Sequence, residues 1–258
     1  NDYDYAEWYD LTKPTEEELA AQRTAVFEYM PKLSIVIPAY KTPERYLKEM
    51  LNSILAQTYE NWEICIADGS PAGESSERVL KRYAEQDRRF KYVILGENKG
   101  ISGNTNAAMD MAAGDFIVLA DHDDTLPPHA LYEVVKAIND HPGADVIYSD
   151  EDKMDMDGGA LFDPHFKPDF NIDLLRSVNY ICHLFVVSHD LAARTGGFRQ
   201  EFDGAQDYDF IFRCVEAAGQ VYHIPKVLYH WRCHQNSTAS NPESKLYAFE
   251  AGSRAIMA

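Results

Sequence analysis

The stretch VLADHDDTLPPHAL, residues 118–131, decides how this chain is read. An apolar run stops in three carboxylates, Asp121, Asp123 and Asp124, set around His122. Like charges this close repel and raise one another's pKa, so the cluster asks for a positive partner. Taken alone, an acidic triplet is more often a solvated turn, with Asp124 or Thr125 capping the helix that follows Pro127-Pro128. Its place argues otherwise. The triplet closes DFIVLAD (115–121), which reads as a buried strand.

Working outward from that strand, the chain alternates. KLSIVIPAY (32–40), WEICIADGS (62–70) and FKYVILGEN (90–98) read as strands. The segments 44–58, 75–87 and 100–114 between them read as helices; the first carries Tyr46, Leu47, Met50, Leu51, Ile54 and Leu55 at helical spacing. Short loops between alternating elements predict an α/β fold with a mainly parallel, doubly wound sheet. Ligands of such sheets bind beyond the carboxyl ends of the strands. Asp68 and the 121–124 cluster both fall at such ends, on one edge of the sheet.

Further on, a helix is expected over 127–142 and a strand over 144–149 that ends in Asp150-Glu151-Asp152, read as a solvated loop. Residues 155–180 are loop-rich. A strand and short helix follow over 180–198, closed by Gly196-Gly197, then a helix over 205–219 and an extended pair of strands over 221–234. Before the alternating region, Thr15 and Glu18 fit a capping box for a helix over 15–29, preceded by a short arm whose Tyr5, Trp8 and Tyr9 pack on the main body. Trp62 is assigned to packing as well. The last residues, 243–258, read as helical without a cap, as if cut from a longer multidomain chain.

The 258 residues are 45% hydrophobic, enough for one large core. They carry 24 basic and 42 acidic residues, a net charge of −18, which argues against a nucleic-acid partner. Cys65, Cys182, Cys214 and Cys233 are scattered with no C-x-x-C pair, so free thiols in a reducing compartment are expected. There is no secretory signal and no apolar run of ~18 residues. The expected place of action is the cytoplasm, at the inner face of the membrane.

The order of motifs resembles a family 2 glycosyltransferase of the GT-A fold. The resemblance rests on LSIVIPAYKTPERYLKEMLNSILAQTYENWEICIADGS, ENKGISGNTNAAMDMAAGDFIVLADHDD, FKPDFNIDLLRSVNYICHLFVV, GGF, AQDYDFIFR and LYHWRCHQNST, in the family's order over residues 32–240. It divides the chain into an N-terminal arm and helix (1–31), a nucleotide-binding half (32–124), an acceptor-binding half (125–240) and a C-terminal segment (241–258). The middle block, with the leading YAEW…PTEEELAAQR, looks most like bacterial enzymes of rhamnan, O-antigen or other surface-polysaccharide synthesis.

The resemblance assigns roles. Asp121-His122-Asp123 stands as the D-x-D motif: Asp123 as the first metal ligand for Mn²⁺ or Mg²⁺, Asp121 on the ribose or a metal-bound water. A divalent ion there neutralises the diphosphate of a nucleotide sugar as the sugar–oxygen bond breaks. Asp68 accepts a hydrogen bond from the base, with Pro38, Ala39 and Tyr40 as one wall. Lys99, Gly100 and Asn104 or Asn106 lie near the nucleotide, where a helix start also favours anions. Arg232 and His234 fold over the diphosphate, His234 toward the metal; His230 shares their strand face and Trp231 points into the core. Asp207 is the catalytic base and Asp209 its competitor. HFKPDF and NYICH match the family without a role that the residues themselves supply.

The implied function is an inverting, metal-dependent glycosyltransferase moving a sugar from a UDP- or dTDP-sugar to a glycan or lipid-linked glycan. Two alternatives compete: a degenerate domain that binds glycans or protein partners, and a nucleotidyltransferase. The second would want a glycine-rich basic loop near the first strand, and IPAYKTPERY lacks the glycines.

Overall fold

The computed structural model describes residues 5–71, 73–74, 76–233, 251–252 and 254–256. Tyr5–Thr12 forms a helix (α1) where the sequence reads as an arm. Glu16–Arg23 (α2) opens with the expected capping box: the Thr15 hydroxyl accepts from the Glu18 N–H (3.2 Å) and the Glu18 carboxylate from the Thr15 N–H (2.8 Å). This helix stops at Arg23, short of residue 29. The Thr24 hydroxyl turns back to the Ala21 carbonyl (3.0 Å), and the Phe27 ring packs against Tyr132.

Strand and helix then alternate as expected: Leu33–Ala39 (β1), Glu44–Leu55 (α3), Trp62–Asp68 (β2), Ser76–Gln86 (α4), Phe90–Ile94 (β3), Gly100–Met109 (α5), Phe116–Leu119 (β4) and Ala130–Asp140 (α6). The four strands lie parallel in the order β3-β2-β1-β4. Continuous apolar runs suit strands covered on both faces. The face of α3 that meets them is Leu47, Met50, Leu51 and Ile54.

The second half comprises Val146–Met154 (β5), Leu161–His165 (β6), Ile172–Leu175 (α7), Phe185–Ser188 (β7), His189–Thr195 (α8), Gln206–Ala217 (α9) and Val221–Arg232 (β8). β7 lies between β4 and β5 and runs antiparallel to both. β8 runs parallel to β5 as one strand, where two were expected. Its register skips Pro225-Lys226, which bulge out because proline has no N–H to donate to a ladder. β5 extends to Met154, so Asp150, Glu151 and Asp152 are buried strand residues and the expectation of a solvated loop is corrected.

Successive residues of β1 feed opposite layers. Leu33, Ile35 and Ile37 join a core with α3 and α6; Val36 joins another with α8 and α9. Trp62 is buried, its ring edge-on to Phe90.

Within β2, Glu63 is 1% exposed. Burial alone would raise its pKa, but Lys32, Lys91 (2.8 Å), the Ala113 N–H (2.6 Å) and the Ser34 hydroxyl (2.8 Å) outweigh that and lower it from 4.5 to about 2. A depressed folded-state pKa stabilises above the unfolded value and is lost as pH falls through the folded one, here from 4.5 toward 2. Glu63→Gln is expected to lose about 3 kcal/mol at neutral pH, from that shift. Urea denaturation across pH 2–7 checks this: the gap from wild type should close on the acid side.

Candidate active site

β4 delivers its carboxylates into a turn that is wired to the end of β8. The Asp121 N–H donates to the Tyr229 hydroxyl (3.0 Å), and that hydroxyl donates to Asp124 Oδ2 (2.6 Å). Asp124 Oδ1 accepts the Arg232 N–H (2.7 Å), and Arg232 Nε donates to the Asp123 carbonyl (2.6 Å). Thr125 and His230 exchange both main-chain hydrogen bonds. Asp124 is therefore a buried brace. Burial holds its carboxyl well above the ordinary carboxylate range, and Asp123 and Asp121 push the same way.

The same wiring engages Arg232 within the chain. Its guanidinium is 0% exposed and holds, besides Asp123, the Met156 carbonyl (3.0 Å) and Glu49 (2.5 Å), above the Tyr46 ring. It fastens the turn, with each of its three nitrogens bonded within the chain. His230 is likewise engaged, by Asp152 (2.6 Å) and Tyr9 (3.3 Å), and Trp231 is only partly buried. His234 lies outside the described residues.

With Asp124 committed to bracing, Asp121 and Asp123 keep side chains 42% and 20% exposed. His183 stands beside Asp121 and the brace: Asp121, Asp124 and His183, rather than Asp123, each offer a ligand atom, all within 4.8 Å of one another. Carboxylate oxygens with one imidazole nitrogen are a donor set that suits Mn²⁺ and tolerates Mg²⁺. His183 is a residue that sequence reasoning missed as a site member; its only signal was the unassigned NYICH.

Asp207 sits in the first turn of α9. Its Oδ2 accepts from Asn179 Nδ2 (2.9 Å), with the Cys182 thiol at 4.0 Å. Burial raises its pKa and Asp121 adds to this, while His183 pulls it down. These influences place Asp207 near His183 and Asp121. Asp209, the competing base, is 1% exposed and salt-bridged to Arg199 and Arg213. Burial would raise its pKa, but the two guanidinium groups outweigh this and lower it. It is a structural anion.

On the nucleotide side, Ala39 and Asp68 pair across β1 and β2, so their ends share the sheet edge with the turn. Asp68 accepts the Ser70 N–H (2.8 Å), which closes the Asp-Gly-Ser turn. Pro38 and Ala39 are buried; Tyr40 is 38% exposed. Asn104 packs on Gly69 so closely that a Cβ there would lie 2.7 Å from its Nδ2. Its amide bonds Lys99 N–H (3.2 Å) and Asn98 (3.1 Å), so it supports the wall from behind while Lys99 stays exposed.

Two of the expected nucleotide contacts, Gly100 and Asn106, are engaged within the chain. Asp203 accepts the Ser102 N–H and hydroxyl and lies over Gly100 (φ 76°), so the start of α5 already carries the protein's own anion. Asn106 uses both ends of its amide on the Phe198 main chain (2.8 Å each), tying α5 to the Gly-Gly-Phe loop.

Residues 34–187 match the family described as Glycosyl transferase family 2, and the chain belongs to it. It is 35% identical over 253 residues to the O-antigen biosynthesis protein RfbC of Myxococcus xanthus, covering 98% of this chain and 20% of that protein. Two of the curated relatives are matched over only 25% and 20% of their length. TarS of S. aureus in complex with UDP shares the fold with a TM-score of 0.68 at 20% identity, covering 87% of this chain and 64% of that one. The mannosyltransferase PcManGT of Pyrobaculum calidifontis, in complex with GDP-Man and Mn²⁺, aligns with a TM-score of 0.61 at 18% identity, covering 85% and 64%. The fold is GT-A.

Tyr229→Phe keeps the ring that stacks on His183 but removes the hydroxyl that serves both Asp124 and the Asp121 N–H. A loss of about 2 kcal/mol is expected, because two buried polar groups each lose a partner. Thermal denaturation of the variant checks it.

Proposed function

We propose that the chain is an inverting, metal-dependent glycosyltransferase acting on a nucleotide-diphosphate sugar, in the synthesis of a bacterial surface polysaccharide. One observation carries the reading: a partly buried carboxylate without a cation partner among the described residues, Asp207, faces the Asp121 turn across His183. The family membership and the resemblance to an O-antigen biosynthesis protein support the polysaccharide role, and the UDP complex of TarS supports a uridine donor, with dTDP the other candidate.

In this reading Asp123 and Asp121 hold Mn²⁺ or Mg²⁺, with His183 or His234 adding a nitrogen; the bound ion supplies positive charge to the departing diphosphate. Asp68, Tyr40 and the β1 end take the nucleoside, with Lys99 at the rim. Asp207 accepts the proton of an acceptor hydroxyl as that oxygen bonds the anomeric carbon. The anomeric carbon–phosphate oxygen bond breaks on the opposite face, and the diphosphate leaves with its electron pair. One displacement inverts the configuration and needs no covalent enzyme intermediate. The acceptor is a glycan or lipid-linked glycan. We place the reaction in the cytoplasm, at the inner face of the membrane: the four cysteines are free thiols, and no helix of the described residues is long and apolar enough to cross a bilayer itself.

A screen of nucleotide sugars for release of nucleoside diphosphate tests the reading. Asp207→Asn should bind donor as wild type does and lose about 10²–10⁴ in transfer rate, the usual range for a general base; loss of both functions together would overturn the assignment.

Because a base works deprotonated and burial raises the Asp207 pKa, kcat/KM should rise with pH through a midpoint above the ordinary aspartate value of about 3.9. A pH–rate profile checks this; a midpoint below that value contradicts the role.

A further inference from the structure

His183 stands between the aspartate turn and the base, and two buried charges grip its main chain. Lys167, its side chain 0% exposed, donates from Nζ to the Ile181 carbonyl (2.7 Å) and to the His183 carbonyl. Glu151, 9% exposed in its side chain, lies 3.5 Å from that ammonium and accepts the His183 N–H (3.1 Å). Both polar groups of one residue's backbone are thus held by one ion pair. The Lys167 N–H is itself anchored to Asp150 (2.9 Å), which also bonds His223 (2.8 Å). On its other side the His183 ring stacks on Tyr229 at 4.5 Å and 12°, and Nε2 reaches to 4.0 Å from Asp121.

A buried ion pair is no better for stability than well-packed apolar side chains of the same volume. This pair instead holds the His183 main chain at both its N–H and its carbonyl, while Lys167 also bonds the Ile181 carbonyl and Glu151 also meets His165 (3.4 Å). Metal-site side chains are held in register by neighbours of this kind. We propose that Lys167 and Glu151 are positioning residues, a buried ion pair that fixes the His183 main chain so that its imidazole stands beside Asp121 at the cation site. They touch no substrate. The inference rests on the reading of the site given above, and it assigns a task to HFKPDF and to the acidic end of β5.

The test is a double-mutant cycle on Mn²⁺ affinity in the presence of UDP, followed by the electron paramagnetic resonance signal of free Mn²⁺. His183→Ala and Lys167→Met are each expected to weaken binding about tenfold, the lower bound for such supporting contacts. The double variant should bind no more weakly than either single one, because Lys167 acts through His183. If Lys167→Met does not fold, Lys167→Met/Glu151→Gln, which leaves no unpaired buried charge, replaces it in the same cycle. Unchanged affinity on loss of Lys167, or a double variant whose loss is the product of the two single losses, overturns the proposal. A wild-type protein that binds Mn²⁺ but releases no nucleoside diphosphate from any nucleotide sugar overturns the reading of function instead, and the binding cycle still decides this one.

Discussion

The site depends on one buried carboxylate. Asp124 takes a hydroxyl from Tyr229 and an N–H from Arg232, and through them the turn after β4 is locked to the end of β8. These strands are not neighbours in the sheet: β7 and β5 lie between β4 and β8. The lock therefore crosses the mouth of the fold. It fixes where Asp121 and Asp123 stand, and the Arg232 guanidinium, closed in by Glu49 and Met156, holds the turn from behind. Burying a carboxyl with two donors is tolerable; burying it without them is not.

The chain's acidity divides along the same line. Several of its carboxylates are structural anions whose charge is matched at once. Glu63 has two lysines and Asp209 two arginines, while Asp152 is hydrogen-bonded to His230 and Tyr5. Asp121 and, across His183, Asp207 lie at one edge, where no lysine or arginine is seen to pair with them among the described residues. Carboxylates gathered this closely raise one another's pKa, which a nearby cation would offset. The α1 helix closes the flank of this edge. Tyr5 reaches Asp152, Tyr9 reaches His230 and Trp8 meets Phe166 edge-on, as the aromatic cluster near the N-terminus implied.

How much of this was legible in the sequence follows from how local each signal is. The alternation of apolar runs and amphipathic helices fixed β1 to β4 closely, because period and length are properties of a few adjacent residues. The positions of Asp121, Asp123 and Asp207, just past a strand end and in the first turn of a helix, were likewise readable. What misled was competition for hydrogen bonds at long range. Arg232, Asn106 and the start of α5 each carried the right chemistry for a nucleotide. Their partners, Asp123, Phe198 and Asp203, lie about a hundred residues away and satisfy them first. The run Asp150-Glu151-Asp152 read as solvated because acidic residues rarely enter strands unpaired. Here His223 and His230 of β8 and Lys167 of the loop after β6 pair with them. His183 was invisible for the same reason: nothing in NYICH shows that its neighbours will fold it against Asp121.

The most direct measurement is anomalous X-ray diffraction at the manganese edge from crystals grown with Mn²⁺ and UDP. The account predicts a single strong peak at the Asp121–Asp124 turn, about 2.0–2.6 Å from at least one carboxylate oxygen of Asp121 or Asp123, as hard-cation coordination requires. The diphosphate should lie on the side that faces Asp207. A peak elsewhere, or clear UDP density with no ion at this turn, contradicts it.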